Sequence, residues 1–349
     1  MWVLSSSPII IGLDESTYQY DNFSDNSLEK NWEHFENKWE DEKGEGVIKD
    51  HSYIHEMNIG DTSDIIKKKC LVIKATGDNY PLDEPKGFKK GKSKRLGGGV
   101  KSKDLMGPGE YNIRVKFSSF NSVCNALWLF NYMENEVDEP RHIKKRKFCV
   151  DNDVDNTCIR NPEIDFELLD MNKCRCNTYR STEGQYDEKH IDLNDYNLEL
   201  NDKKWHNMKI IWETDLVKVS DLIGRELKQE EVIITKENQF INDIQLKKFN
   251  ELNGQTVIKS IQNDNEYCLI YGKKIQISID NKILLNNEIE EINYKIFNNN
   301  TIPITLCHFY IALWFPKFIK TDPDFYHTLL QVDTFQYVYN GNPYLRLVT

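Results

Sequence analysis

Residues 162–169 read Pro162-Glu163-Ile164-Asp165-Phe166-Glu167-Leu168-Leu169. Carboxylates and apolar side chains alternate, which is the period of a β-strand with one buried face. Ile164, Phe166 and Leu168 are expected to enter a core. Glu163, Asp165 and Glu167 are expected to project together from the opposite face. Like charges aligned on one face repel, so at least one of the three is expected to have a raised pKa. Two carboxyls that share one proton supply an ionised group to attack and a protonated group to donate, which is what cleavage of a glycosidic bond requires. The chain is 29% charged, so an acidic strand face also arises without any chemistry. The segments around it decide.

Working outward, short alternating or apolar segments recur on both sides. Upstream are residues 70–75 (CLVIKA), 97–103 (GGGVKSK), 109–117 (GEYNIRVKF) and 126–130 (ALWLF). Downstream are 205–212 (WHNMKIIW), 275–281 (IQISIDN), 304–314 (ITLCHFYIALW) and 330–339 (LQVDTFQYVY). Many strands, few helical periods and no alternation of strand with helix predict an all-β protein, an antiparallel β-sandwich with long inserted loops. The irregular intervals 131–161 and 216–265 are read as insertions, the second with a helix near 237–252. Residues 1–45 are read as an N-terminal arm and 46–349 as one domain. Within the arm, residues 27–43 allow a helix that presents Trp32, Phe35 and Trp39 on one face.

The net charge of −11 disfavours nucleic-acid binding as the global reading. The basic runs at 86–95 and 141–147 suit either solvated loops or a clamp for an anionic partner. No apolar run approaches the roughly 20 residues of a membrane helix. The N-terminus lacks a basic leader and Pro8 interrupts its apolar stretch, so it is not read as a signal peptide. A cytoplasmic or virion-associated location is favoured over classical secretion, with an unusual leader or a processed chain left open. Of eight cysteines, five (Cys124, Cys149, Cys158, Cys174 and Cys176) flank the acidic strand. Reduced thiols are the default; loop disulfides or zinc remain alternatives, although the spacing fits no common zinc pattern. No cofactor is expected.

In order and type these segments resemble glycoside hydrolase family 16, the laminarinase, lichenase and xyloglucan-transglycosylase group. Residues 163–167 (EIDFE) resemble its Glu-x-Asp-x-Glu strand. Residues 98–116 look like its "G-x-x-x-S-K … G-x-x-E-x-R-x-K" run, 126–128 like "A-x-W", 205–212 like "W-H … W", and 332–339 like the closing "V-D-Y-V-R-V-Y". The resemblance spans about 46–340. It implies a concanavalin-like jelly roll and a retaining endo-β-glycan hydrolase or transglycosylase. In that role Glu163 is the nucleophile, Asp165 assists it and Glu167 is the acid/base. Retention needs carboxyls about 5–5.5 Å apart, whereas residues four apart on a flat strand are roughly 13 Å apart at Cα, so the side chains must lean together. Trp128 and Trp314 are candidates to stack on a sugar, or are ordinary core. Relatives carry a structural calcium, for which no ligands are assigned here.

The chain also departs from the pattern. Leu168-Leu169-Asp170 replaces a Phe/Tyr/Met-Leu-Gly ending, Ala312 stands where a sugar-contacting Asn is usual, and residues 177–181 offer no His near the nucleophile. A catalytically inactive jelly-roll protein, binding a glycan or assembling with partners in a structure such as a virus particle, is the alternative. A groove left open over Glu163 and Glu167 favours the enzyme. A groove blocked by 131–161 or 216–265 favours the alternative.

Overall fold

A computed structural model of the protein describes residues 18–24, 27–60, 66–81, 95–131, 133–134, 147–148, 158–160, 162–169, 172–180, 186–225, 232–234, 239–241, 256–259, 267–304 and 306–339. Most of both insertions and of both basic runs therefore lies outside the described residues, as does Cys149.

The described residues form two large antiparallel sheets packed face to face. The first has seven strands: β1 (Trp32–His34), β2 (Gly98–Ser102), β3 (Cys124–Phe130), β4 (Glu163–Leu168), β5 (Lys173–Tyr179), β6 (Tyr186–Asp192) and β7 (His308–Trp314). Their order across the sheet is β6-β5-β4-β3-β7-β2-β1, so the acidic strand β4 is internal. The second sheet has eleven strands. At its centre Gly109–Lys116, His206–Lys218, Tyr267–Ile279 and His327–Tyr339 pair in the order 267–279, 206–218, 109–116, 327–339. This is the antiparallel β-sandwich expected from the strand periodicity.

The core lies between the two sheets. Ile164 and Phe166 are fully buried there with Leu127, Leu129, Phe309 and Ile311 from neighbouring strands, against Ile113, Val115, Trp212 and Ile277 of the large sheet. The second residue of each alternation points the other way, so the core fixes which face carries the carboxylates. Cys174 and Cys176 also face this core, and the six described cysteines for which a state is assigned are free and buried.

Motif segments far apart in sequence meet as structural ties. His206 is buried, its Nδ1 2.7 Å from Asp280 Oδ2 and its Nε2 3.1 Å from Asp202 Oδ1. Asp280 and Asn281 turn the hairpin with positive φ of 48° and 64°, a conformation that Asp and Asn tolerate. Buried Asp333 accepts from Lys68 Nζ at 2.6 Å and from Arg114 Nη1 at 2.7 Å, tying the closing strand to its two neighbours.

Two helix expectations differ from what forms. The helix in the arm spans only Ser27–Asn31, after which Trp32–His34 joins the sheet by pairing with β2. Trp32 is taken into the core, where its Nε1 donates to buried Asp21, and the demand of the core outweighs the helical period. Gln239–Ile241, inside the second expected helix, is a strand.

Truncating Phe166, which fills the centre of the core, leaves a cavity in a close-packed interior. Phe166→Ala is expected to lose about 3–5 kcal/mol of unfolding free energy in a denaturant titration, while an exposed control such as Lys173→Ala stays within about 0.5 kcal/mol.

Candidate active site

Register places the site. On β4, Glu163 lies opposite Tyr179 of β5 and Phe130 of β3, Asp165 opposite Asn177 and Trp128, and Glu167 opposite Arg175 and Ala126. The rows continue from Trp128 to Tyr310, from Ala126 to Ala312 and from Cys124 to Trp314. Directly opposed residues share a face. The three carboxylates, Arg175, Asn177, Tyr179, Trp128 and Trp314 therefore project together, away from the core. All five residues singled out in the sequence, Glu163, Asp165, Glu167, Trp128 and Trp314, line one cavity of about 190 Å³.

The arm completes this cavity. After β1 the chain crosses the open face and is held there by backbone bonds: Asn37 and Val47 exchange two, Lys43 N donates to Phe315 O at 2.8 Å, and Lys317 N donates to Asp41 O at 2.6 Å. Between the aromatic rows runs a row of small residues, Ala126, Ala312 and Gly99. Phe35 and Trp39 settle over it. The Phe35 ring is 5.5 Å from Tyr310, and the Trp39 ring is 4.9 Å from Trp314 and 6.5 Å from Trp128. A methyl group at Gly99 would come within 2.5 Å of the Phe35 ring, so this glycine makes room for the arm. Ala312, where a sugar-contacting Asn was expected, is buried in the same cluster. Trp39, Trp128 and Glu163 are shared with a second cavity of about 410 Å³, lined also by Phe35, Lys101 and Tyr310. The described residues that occupy the groove are thus those of the arm, whereas the sequence had directed attention to 131–161 and 216–265.

Burial sets the electrostatics. It pushes the Glu163 carboxyl up to about 8. Asp165 is 5% exposed and stands well above the carboxylate range, first from burial and then from the charges of Glu163 and Glu167. Asp165 Oδ2 accepts from Asn177 Nδ2 at 3.2 Å. Its Oδ1 meets no donor from other side chains, and a proton shared with Glu163 supplies one. Glu163 and Asp165 are both raised and titrate as a pair, so a hydrogen bond between them requires a proton on one of the two. Glu167 is also raised, by burial, with Arg175 acting in the opposite direction. Arg175 donates through Nε at 2.7 Å and through Nη2, both to Glu167 Oε2. The other oxygen, Oε1, lies 3.8 Å from Cys124 Sγ. Among the described residues no group of three or more His, Cys, Asp and Glu side chains could hold a metal ion, so no calcium ligands are assigned.

No protein-family model matches the chain, and no curated protein matches it significantly in sequence. Solved structures do match. The laminarinase catalytic domain from Thermotoga maritima aligns at 11% identity and a TM-score of 0.51, over 93% of this chain and 99% of that one. SCLam, a non-specific endo-β-1,3(4)-glucanase of family GH16, aligns at 10% identity and 0.50, over 95% and 93%. The fold is that of the family 16 glycoside hydrolases. At such identity the likeness concerns the fold alone.

Sequence reasoning did not find Arg175, Asn177 and Tyr179, although the alternation C-R-C-N-T-Y over 174–179 carries them on one face of the next strand. Trp39 and Asp41 had no comparable signal, because their segment reaches the site only through tertiary contacts.

Glu42, a buried residue of the arm itself, has neither carboxylate oxygen hydrogen-bonded to a side chain, and burial raises it from 4.5 to about 7. A raised carboxyl is fully compatible with folding below the unfolded value and loses stability as pH climbs to the folded one. Glu42→Gln should therefore match the parent in unfolding free energy near pH 4.5, gain on it up to pH 7, and hold a constant advantage above that. Paired denaturant titrations across this range measure the difference.

Proposed function

We propose that this chain is a retaining β-glycan hydrolase or transglycosylase that acts on a polysaccharide, and a divergent member of glycoside hydrolase family 16. The observation that carries the reading is that three carboxylates of one strand open into one aromatic-walled cavity, where burial raises all three. Glu163 is the nucleophile, and Asp165 holds the proton that stabilises its anion. Glu167 is the acid/base. Burial favours its protonated form, and with Oε2 engaged by Arg175, Oε1 is the oxygen left to carry the proton.

Glu167 protonates the glycosidic oxygen as Glu163 attacks the anomeric carbon and the bond to the leaving sugar breaks. Glu167, now ionised, next takes a proton from water or from an acceptor hydroxyl, which displaces Glu163 and restores the starting state. Arg175 supports the ionised half of that cycle. Trp128, stacked on Tyr310, and Trp314, packed on Trp39 and Phe318, belong to a buried aromatic cluster and leave only a small part of each ring for a pyranose at the cavity wall.

A second reading, a glycan-binding protein without turnover, draws on two observations. Arg175 sits on the acid/base and opposes its protonation, and Trp39 occupies part of the groove.

Reducing-end release from β-1,3-, β-1,3-1,4- and charged glycans separates the two. The parent is expected to release ends, Glu163→Gln to release none, and Glu167→Gln to lose about 10²–10⁴-fold in rate. No release by a folded parent from any glycan leaves the binding reading. The rising limb of kcat/KM is expected near pH 8, where Glu163 ionises, well above the ordinary carboxylate range.

A further inference from the structure

We propose that the cavity beneath Trp39 is a subsite for a hexosamine unit bearing a free ammonium group, so that the glycan recognised is a polymer with unacetylated amino sugars. This deepens the reading above, since it rests on the groove accepting a glycan.

Three features converge. First, size: about 190 Å³ is the volume of roughly six waters and is on the scale of one pyranose ring. Second, the walls: Trp39 from the arm and Trp128 and Trp314 from the sheet line the cavity with aromatic rings, whose electron-rich faces attract a cation as well as the C–H face of a sugar. Third, charge: the lining residues include four carboxyls, Asp41, Glu163, Asp165 and Glu167, and one cation, Arg175, which is committed to Glu167. With one proton between Glu163 and Asp165 and another on Glu167, as the acid/base role requires, Asp41 and the pair outweigh Arg175 and leave a net charge of about −1.

An independent observation points to a donor from the ligand. Asn177 is 2% exposed and lines the cavity. Its Nδ2 is used on Asp165, and its Oδ1 has no donor. A buried acceptor left unpaired is costly and is expected to be satisfied on binding. An ammonium group satisfies this acceptor and offsets the carboxylates at once. A neutral hydroxyl satisfies only the acceptor. Trp39 and Asp41 come from the arm, so the arm sets the specificity of a groove whose chemistry belongs to β4.

The test is calorimetric titration of the full chain with three oligosaccharides of equal length: β-1,4-glucosamine, its N-acetylated form, and β-1,4-glucose. Lysine serves as an ammonium without a ring. The glucosamine oligomer is expected to bind at least tenfold more tightly than each of the other three. Asp41→Asn, at the exposed mouth, should reduce that preference several-fold, and Trp39→Ala should weaken the glucosamine oligomer most. Equal or tighter binding of the glucose oligomer, or of lysine, overturns the inference. Cleavage of neutral β-glucans without amine preference sinks it and leaves the hydrolase reading standing. Tight binding of the glucosamine oligomer with no cleavage of any glycan supports it and removes the hydrolase reading. Binding of none of the four overturns the inference and leaves the hydrolase reading to the reducing-end assay.

Discussion

An internal strand of a sandwich has two faces, and neither can be exchanged for the other. β4 has pairing partners on both edges and Ile164, Phe166 and Leu168 sealed in the core, so it cannot rotate, slip or leave. A slip of one residue would put three carboxylates into the core and three apolar side chains into the groove. That penalty is what holds Glu163, Asp165 and Glu167 beside one another although their charges repel. The raised carboxyls are thus imposed by packing, and hydrophobic burial on one face of the strand sustains an unfavourable charge arrangement on the other.

The groove face follows from the same register. Tyr179, Asn177 and Arg175 are brought to the carboxylates because they sit opposite them, and the aromatic rows at Trp128 and Trp314 fall on the same side for the same reason. Between those rows lie Ala126, Ala312 and Gly99, and this strip of small side chains lets Phe35 and Trp39 come down onto the sheet. Ala312 is buried in the cluster against which Phe35 and Trp39 pack.

The arm therefore changes what the fold presents. A face that would be an extended groove becomes two cavities sharing Trp39, one holding the acidic cluster and one running along Phe35 and Tyr310. The electrostatics change with it, because covering the carboxylates removes water from them and raises their pKa values further. Arg175 is the counterweight. It keeps a charge partner on Glu167 where burial alone would favour the neutral acid.

The all-β class, the antiparallel sandwich and the strand whose three carboxylates open into one cavity were legible in the sequence, because period two is a local property that survives into the fold. Arg175, Asn177 and Tyr179 were legible in principle, since they alternate on the following strand. The short arm helix and the entry of Trp32 into the core were not, because a helical period yields when a sheet edge and a core vacancy offer more burial. Which proton sits where, and the meeting of Trp39 with Trp314 across more than two hundred residues, were decided by tertiary structure alone. Sequence alternation assigns a side chain to a face; only the packed chain determines what stands opposite that face and how much water is left between.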